Sequence, residues 1–269
     1  MPPTSRPGLW RALVALVQQH QTERRLRARD GSFRTTDLRR ITRTYGAMSP
    51  AEFQRINGAQ EWQNWRLVPR ALMEMPVDRP WRIIDLGCGS GGSSAVIAST
   101  APAGSTLTGF DVCDALLDEA RRRRYVDCEG RSIRASFMCQ PITEPLRDAF
   151  GNPFADASVD VAHAAGVVGH HLALDDVVRL AAELQRVLAP AGIAVLDAGP
   201  KLSAAGLAAV MSGIGMRQVA RYCVLPWTSR AVLVFRKQGV GDDALSLPDR
   251  RQARSQDGPR DVVRRRIAR

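Results

Sequence analysis

Four glycines within six residues, Gly87, Gly89, Gly91 and Gly92, follow the apolar run Arg82 to Leu86 and precede the segment Ser93 to Ser99. Glycine lets a backbone bend sharply and approach a ligand with no Cβ in the way. The spacing Gly87-x-Gly89-x-x-Gly92 is that of a dinucleotide fingerprint. Asp85 argues against that use, because its carboxylate would lie beside a diphosphate and repel it. The same carboxylate suits a ligand that carries a cationic amino group and no phosphate. Asp111 lies 20 residues beyond Gly91, at the end of a second apolar run, Ser105 to Phe110. An acid at that strand tip accepts hydrogen bonds from both hydroxyls of a ribose. Asp114, directly before Ala115-Leu116-Leu117, is the better cap for the helix that follows. His163, His170 and His171 supply imidazoles, and so candidates for a general base where an acceptor must lose a proton.

The elements that position these groups alternate. From Pro80 onward strand and helix succeed one another, the pattern of a parallel sheet covered on both faces. Strands are predicted at 82–86, 105–110, 132–139, within 154–164, 193–196, 216–224 and 230–235. Helices are predicted at 93–99, 115–124, 180–188 and 202–211. Ahead of them, Ser49-Pro50-Ala51-Glu52 is a helix start with a cap, a first-position proline and a first-turn acid. Trp62, Trp65, Val68, Leu72 and Met75 then fall on one helical stripe, kinked or broken near Pro69. Asp37 to Tyr45 and Gly8 to Arg29 also read as helices, and residues from Gly239 lose hydrophobic periodicity and read as a disordered tail.

Asp85-x-Gly87-x-Gly89-x-Gly91 after an apolar strand resembles the first motif of the class I S-adenosylmethionine-dependent methyltransferases. Asp111 fits that family's second acid, and Arg186 to Gly192 its Arg-Val-Leu-Ala-Pro-x-Gly step into an apolar strand. The resemblance covers about 80–237 and implies a doubly wound α/β fold. Its sheet would have seven strands, mostly parallel, ending in an antiparallel pair. It implies a cofactor site of Asp85, Gly87, Cys88, Gly89, Gly91 and Asp111, with Gln140 where the family more often has an acid near the adenine amino group. It places Asp160 just inside the fourth strand, with that strand's tip facing the methyl donor, and His171 at the family's post-strand histidine. N-terminal helices in such proteins lie over the cofactor cleft, which makes Tyr45, Trp62, Trp65 and Arg66 lid or substrate-pocket residues. The expected organisation is a basic arm and helical cap at 1–79, a cofactor-binding domain at 80–238 and a basic tail at 239–269.

Composition narrows the acceptor. The net charge of +11 resides at the ends, +7 in residues 1–44 and +5 in 236–269, leaving −1 for the body. A near-neutral body disfavours a broad nucleic-acid surface, so RNA would be reached only through the basic ends. The Asn/Asp-Pro-Pro-aromatic run of nucleobase amino-group methyltransferases is missing from the fourth strand tip, which reads Ala-His-Ala-Ala-Gly. Cytosine-ring methylation needs a thiol there, and no cysteine occurs between Cys139 and Cys223. Catechol-type metal chemistry needs clustered acids, whereas Asp197-Ala198-Gly199 offers one. The five cysteines have no Cys-x-x-Cys spacing, so no metal is expected and a reducing cytoplasm fits. No apolar run reaches the ~18–20 residues of a membrane span, and Leu9 to Val17 lacks the features of a signal peptide. The sequence thus favours methyl transfer to the oxygen, nitrogen or carbon of a small molecule. An RNA-directed methyltransferase and an NAD(P)-dependent oxidoreductase are the alternatives.

Overall fold

The computed structural model describes residues 35–73, 75–223 and 231–237, with scattered positions between 10 and 25. The latter are helical. Most of the basic arm, the Pro226-Trp227 turn and the tail from Gly239 lie outside the described residues.

Two helices come first, α1 (Leu38–Gly46) and α2 (Pro50–Leu72). Asp37 caps α1 by accepting from the amides of Arg39 and Arg40. Ser49 caps α2 in a reciprocal box with Glu52, so two amides with no intrahelical partner are satisfied. Pro69 does not break α2. The helix continues to Leu72, losing only the one ladder bond that proline cannot donate.

The sheet then builds from β1 (Arg82–Leu86), β2 (Thr106–Asp111), β3 (Arg134–Cys139), β4 (Val159–Ala164), β5 (Leu188–Asp197), β6 (Met216–Cys223) and β7 (Ala231–Lys237). Between them come α3 (Gly92–Ala98), α4 (Asp114–Arg122), α5 (Val168–His171), α6 (Leu174–Val187) and α7 (Ala204–Gly213). The spatial order is β3-β2-β1-β4-β5-β7-β6. All neighbours pair parallel except β7, which is antiparallel to both β5 and β6. This is the doubly wound, mostly parallel sheet that the alternation predicts. The antiparallel character belongs to β7 alone, because that strand inserts between β5 and β6.

Side chains alternate across the sheet and divide the core into two layers. Ile84, Leu86, Ala162 and Leu196 face Val177, Leu180 and Leu184 of α6 and Leu207 and Met211 of α7. Ile83, Val161 and Val195 face Leu67, Val68 and Leu72 of α2, Val96 and Ile97 of α3 and Leu117 of α4. Arg186 fastens the turn before β4, bonding Glu183, Asp156 and the carbonyl of Phe154. The strand order reverses between β1 and β4, and in such sheets ligands bind at the carboxyl ends beside that reversal. Gly87, Asp111 and Ala165 all lie there.

Candidate active site

The glycine turn sits where β1 ends. The amides of Gly87 and Cys88 both donate to the carbonyl of Phe110, tying the turn to the tip of β2. Gly89 has a φ of 51°, and a Cβ there would stand 2.7 Å from the Phe53 ring of α2. A Cβ on Gly87 would overlap Val167. The bare backbone is therefore pressed by side chains from the helix above and from the segment after β4.

Gly91 opens α3 at φ 80°, but it lies off the cavity wall, where a Cβ would stand 2.1 Å from the Tyr125 hydroxyl. Its need for glycine is packing and backbone hand rather than ligand approach. Gly91→Ala is expected to cost about 1–3 kcal/mol of stability from backbone strain, read from the chemical denaturation midpoint. An unchanged midpoint would show that the turn relaxes freely.

Asp111 stands at the β2 tip with one carboxylate oxygen accepting the Gly89 amide at 2.9 Å and the other accepting the Cys113 amide at 2.9 Å. A carboxylate has about four lone-pair sites, so acceptor capacity remains. Burial pushes its pKa above the usual carboxylate value, and the amides of Cys113 and Gly89 pull it back down. Asp111 also closes the loop into α4, which begins at Asp114. Asp114 makes no capping bond and pairs instead with Arg121.

One cavity of about 350 Å³ opens beside this turn. Gly87, Gly89, Asp111, Val112, Leu116 and the 141–143 loop line one part of it; Thr36, Leu38, Ile41, Tyr45, Val167, His171 and Leu172 line another, and Phe53 and Asn57 descend from α2. Tyr45 on α1 and His171 on α5 meet across it, the hydroxyl 3.1 Å from Nε2 and the rings edge to face. Burial lowers the His171 pKa below 6.5; the Thr35 backbone opposes the fall and the charge of Lys201 adds to it. A smaller polar recess lies over the same turn, between Asn57, Gln60, Glu61 and Asn64 of α2 and Cys88, Ser93 and Arg123.

Several residues singled out in the sequence lie elsewhere. Asp85 is 1% exposed, with one oxygen 2.8 Å from His163 Nδ1 and the other accepting from the hydroxyls of Ser93 and Ser94. Asp85 and His163 are register partners on β1 and β4, so both point to the face that α3 covers. The pair anchors α3 under the turn and does not line the cavity. His170 is directed toward Asp197, 3.9 Å away, and away from the cavity. Asp197 in turn accepts the Gly166 amide.

Gln140 spans its own loop, donating to the Pro145 carbonyl and accepting the Arg147 amide, so its amide is occupied locally. Trp62, Trp65 and Arg66 lie off the cavity wall: half-buried Trp65 packs against the core, and the Arg66 guanidinium stacks 4.6 Å from the Trp62 ring. Cys88 is buried, and burial raises its thiol pKa above the usual value. Asp160 holds the Arg82 amide and Arg79, at the opposite end of the strands. Phe53, Asn57, Gln60, Glu61 and Asn64 escaped the sequence reading, although their spacing of three and four places them on one face of α2. Among the described residues no group of histidine, cysteine and acid side chains is arranged to hold a metal ion.

A carboxylate with spare lone pairs at the second strand tip and a turn without Cβ atoms at the first fit a ligand built on an adenosine. Residues 83–192 match the family model of a methyltransferase domain. Residues 83–192 are thus a methyltransferase domain of the S-adenosylmethionine-dependent class, and the chain that carries it is an enzyme with S-adenosylmethionine as cofactor. The NAD(P)-dependent reading is thereby set aside. A TehB-like S-adenosylmethionine-dependent methyltransferase from Corynebacterium glutamicum is 21% identical, with 71% of this chain and 100% of that chain covered and a TM-score of 0.49. The magnesium protoporphyrin IX methyltransferase of Synechocystis PCC 6803, solved with bound cofactor, is 15% identical, with 75% and 85% covered and a TM-score of 0.51. The cyclase SpnF is 18% identical, with 66% and 83% covered and a TM-score of 0.51. The last two likenesses show the fold. No curated protein matches the chain.

Proposed function

We propose that the protein transfers a methyl group from S-adenosylmethionine to a small, largely apolar molecule held beneath α1 and α2. The observation that carries this is the continuity of the cavity from Asp111 and the glycine turn to the apolar wall of Leu38, Ile41 and Phe53. The cavity must seat the cofactor as well as the acceptor, so the room left beside it suits a compact molecule better than a polymer.

In this reading Asp111 accepts the ribose hydroxyls, and the 141–143 loop with Val112 and Leu116 encloses the adenine. The polar face of α2 (Asn57, Gln60, Glu61, Asn64) with Arg123 faces the amino-acid tail. Asp85 contributes by holding α3 and the turn in place, and Gln140 by shaping the adenine loop. The bound cofactor supplies an electrophilic methyl on a sulfonium, and the protein's work is to align an acceptor with it. Helices α1 and α2 act as the cap, with residues 80–238 as the cofactor-binding domain. Five free cysteines suit a reducing cytoplasm. No described helix is long and apolar enough to cross a membrane. Most of the basic ends, through which RNA would be delivered, lie outside the described residues.

The test is calorimetric titration of the full chain with S-adenosylmethionine, alongside Asp111→Ala. Wild-type protein is expected to bind, and the variant to bind at least tenfold more weakly, about 1.4 kcal/mol. Equal binding by a folded variant overturns the ribose assignment. Absence of binding by folded wild type overturns the reading as a whole.

A further inference from the structure

The Tyr45–His171 contact joins two elements that share no sheet and lie 126 residues apart in sequence. It is held from both sides. The Tyr45 ring also stands edge-on to Phe53, 6.0 Å between centroids, and packs against Met48 and Ile56. The pair therefore has a fixed position on the wall of the cavity that also contains the glycine turn. With Nε2 as acceptor, the Tyr45 hydroxyl donates its proton to His171 and its oxygen can accept another hydrogen bond.

From this geometry, and resting on the function proposed above, we infer that the acceptor is a hydroxyl compound, methylated on oxygen, and that Tyr45 passes its proton to His171. As the acceptor oxygen forms its bond to the methyl carbon, the carbon–sulfur bond breaks with its electron pair left on sulfur. The acceptor proton moves to the Tyr45 oxygen while the Tyr45 proton moves to His171 Nε2. Once the methyl ether has left, the proton returns from Nε2 through the Tyr45 hydroxyl to water entering the cavity. Tyr45 is the catalytic residue and His171 the positioning residue behind it.

An amine acceptor fits less well. It needs no base before attack, and an ammonium form would want an unpaired carboxylate. Asp176 on α6 is the acid on that side of the cavity, and it is bonded to Arg179 and to the Ala173 amide. The groups around the imidazole are Tyr45 from α1, Asp176 from α6, Lys201 after β5 and neighbouring His170, with Asp111 across the cavity. Burial, which keeps the imidazole neutral below its ordinary value, supports its service as a base.

The experiment compares naphthol, naphthylamine and naphthalene as probes on the full chain loaded with S-adenosylhomocysteine, using wild type, Tyr45→Phe and His171→Asn. Naphthol is expected to bind wild type at least tenfold more tightly than naphthalene and to lose that advantage in Tyr45→Phe. Naphthylamine and naphthalene should bind both proteins equally. With S-adenosylmethionine, radiolabelled methyl should appear on naphthol oxygen. His171→Asn should lower kcat about a hundredfold or more and abolish the acid limb of the pH profile, which in wild type lies below pH 6.5 because protonated Nε2 cannot accept. Affinity for S-adenosylhomocysteine should be the same in all three proteins; its absence would instead overturn the underlying cofactor reading. Label on nitrogen or carbon overturns the proposal. So does naphthol binding that ignores Tyr45, an acid limb that survives His171→Asn, or a cofactor-loaded cavity that admits none of the probes.

Discussion

Asp85→Ala is expected to destabilise the protein by about 3–5 kcal/mol, as breaking a buried polar network does. The carboxylate is 1% exposed and serves three donors at once: Ser93, Ser94 and the His163 ring. Alanine leaves His163, itself 2% exposed, facing a void between β1 and α3. The serines can turn toward other acceptors within their helix, but the imidazole is fixed by β4. Urea denaturation reads the loss, and Asp85→Ala combined with His163→Leu should recover part of it, since an apolar pair has no donor to orphan. The competing outcome is a loss below about 1 kcal/mol accompanied by much weaker cofactor binding. That result would return Asp85 to direct ligand contact.

Gly169→Ala is expected to be at least as damaging, at or above the ~3 kcal/mol upper end of ordinary overpacking. A Cβ there would stand 2.1 Å from the Gly199 backbone nitrogen and 2.7 Å from the Ala198 carbonyl carbon. Backbone cannot rotate aside as a side chain can. Gly199 is glycine for the reciprocal reason, its own Cβ position lying 2.4 Å from the Gly169 carbonyl oxygen. Short helix α5 is thus clamped against the exit of β5, and the Lys201 amide donates to the Gly169 carbonyl across the same contact. Because His171 is two residues on, a variant that folds should also move the imidazole away from Tyr45. A thermal melt matching wild type would show that the clamp yields, and would refute the prediction.

The parts of this molecule legible in its sequence are those whose cause is local. Apolar runs punctuated by glycine gave β1 and β2. Ser49-Pro50-x-Glu52 gave the start of α2, and the interval from the turn to Asp111 gave the two strand tips at one end of the sheet. What the sequence left open depended on how the chain returns on itself, nearby or far along. The spacing before Gly87 says that Asp85 ends a strand, but not that His163, 78 residues later, is its register partner. Gln140 carries an amide suited to adenine, yet the return of its own loop at Pro145 and Arg147 engages both ends. On α2 the tryptophans drew attention, while the helix turns Phe53, Asn57 and Glu61 to the cavities beside the glycine turn and packs half-buried Trp65 against the core. The meeting of Tyr45 with His171 has no sequence signature.

The position of β7 bears on how the chain is made. β6 has β7 as its sheet neighbour, and the far edge of β5 is likewise covered by β7. A nascent chain that has emerged only as far as Cys223 therefore presents β5 with a bare edge and β6 with none to join. Such an edge is a template for other chains. Closure waits for Ala231 to Lys237, which must pair not only with the adjacent β6 but also with β5 across the intervening α7 and β6, and non-local pairing is the slow kind. Premature termination anywhere before Ala231 should thus yield aggregates rather than a smaller working enzyme. Fusion partners intended to report folding will respond to the arrival of the last strand rather than to the glycine turn synthesised long before it.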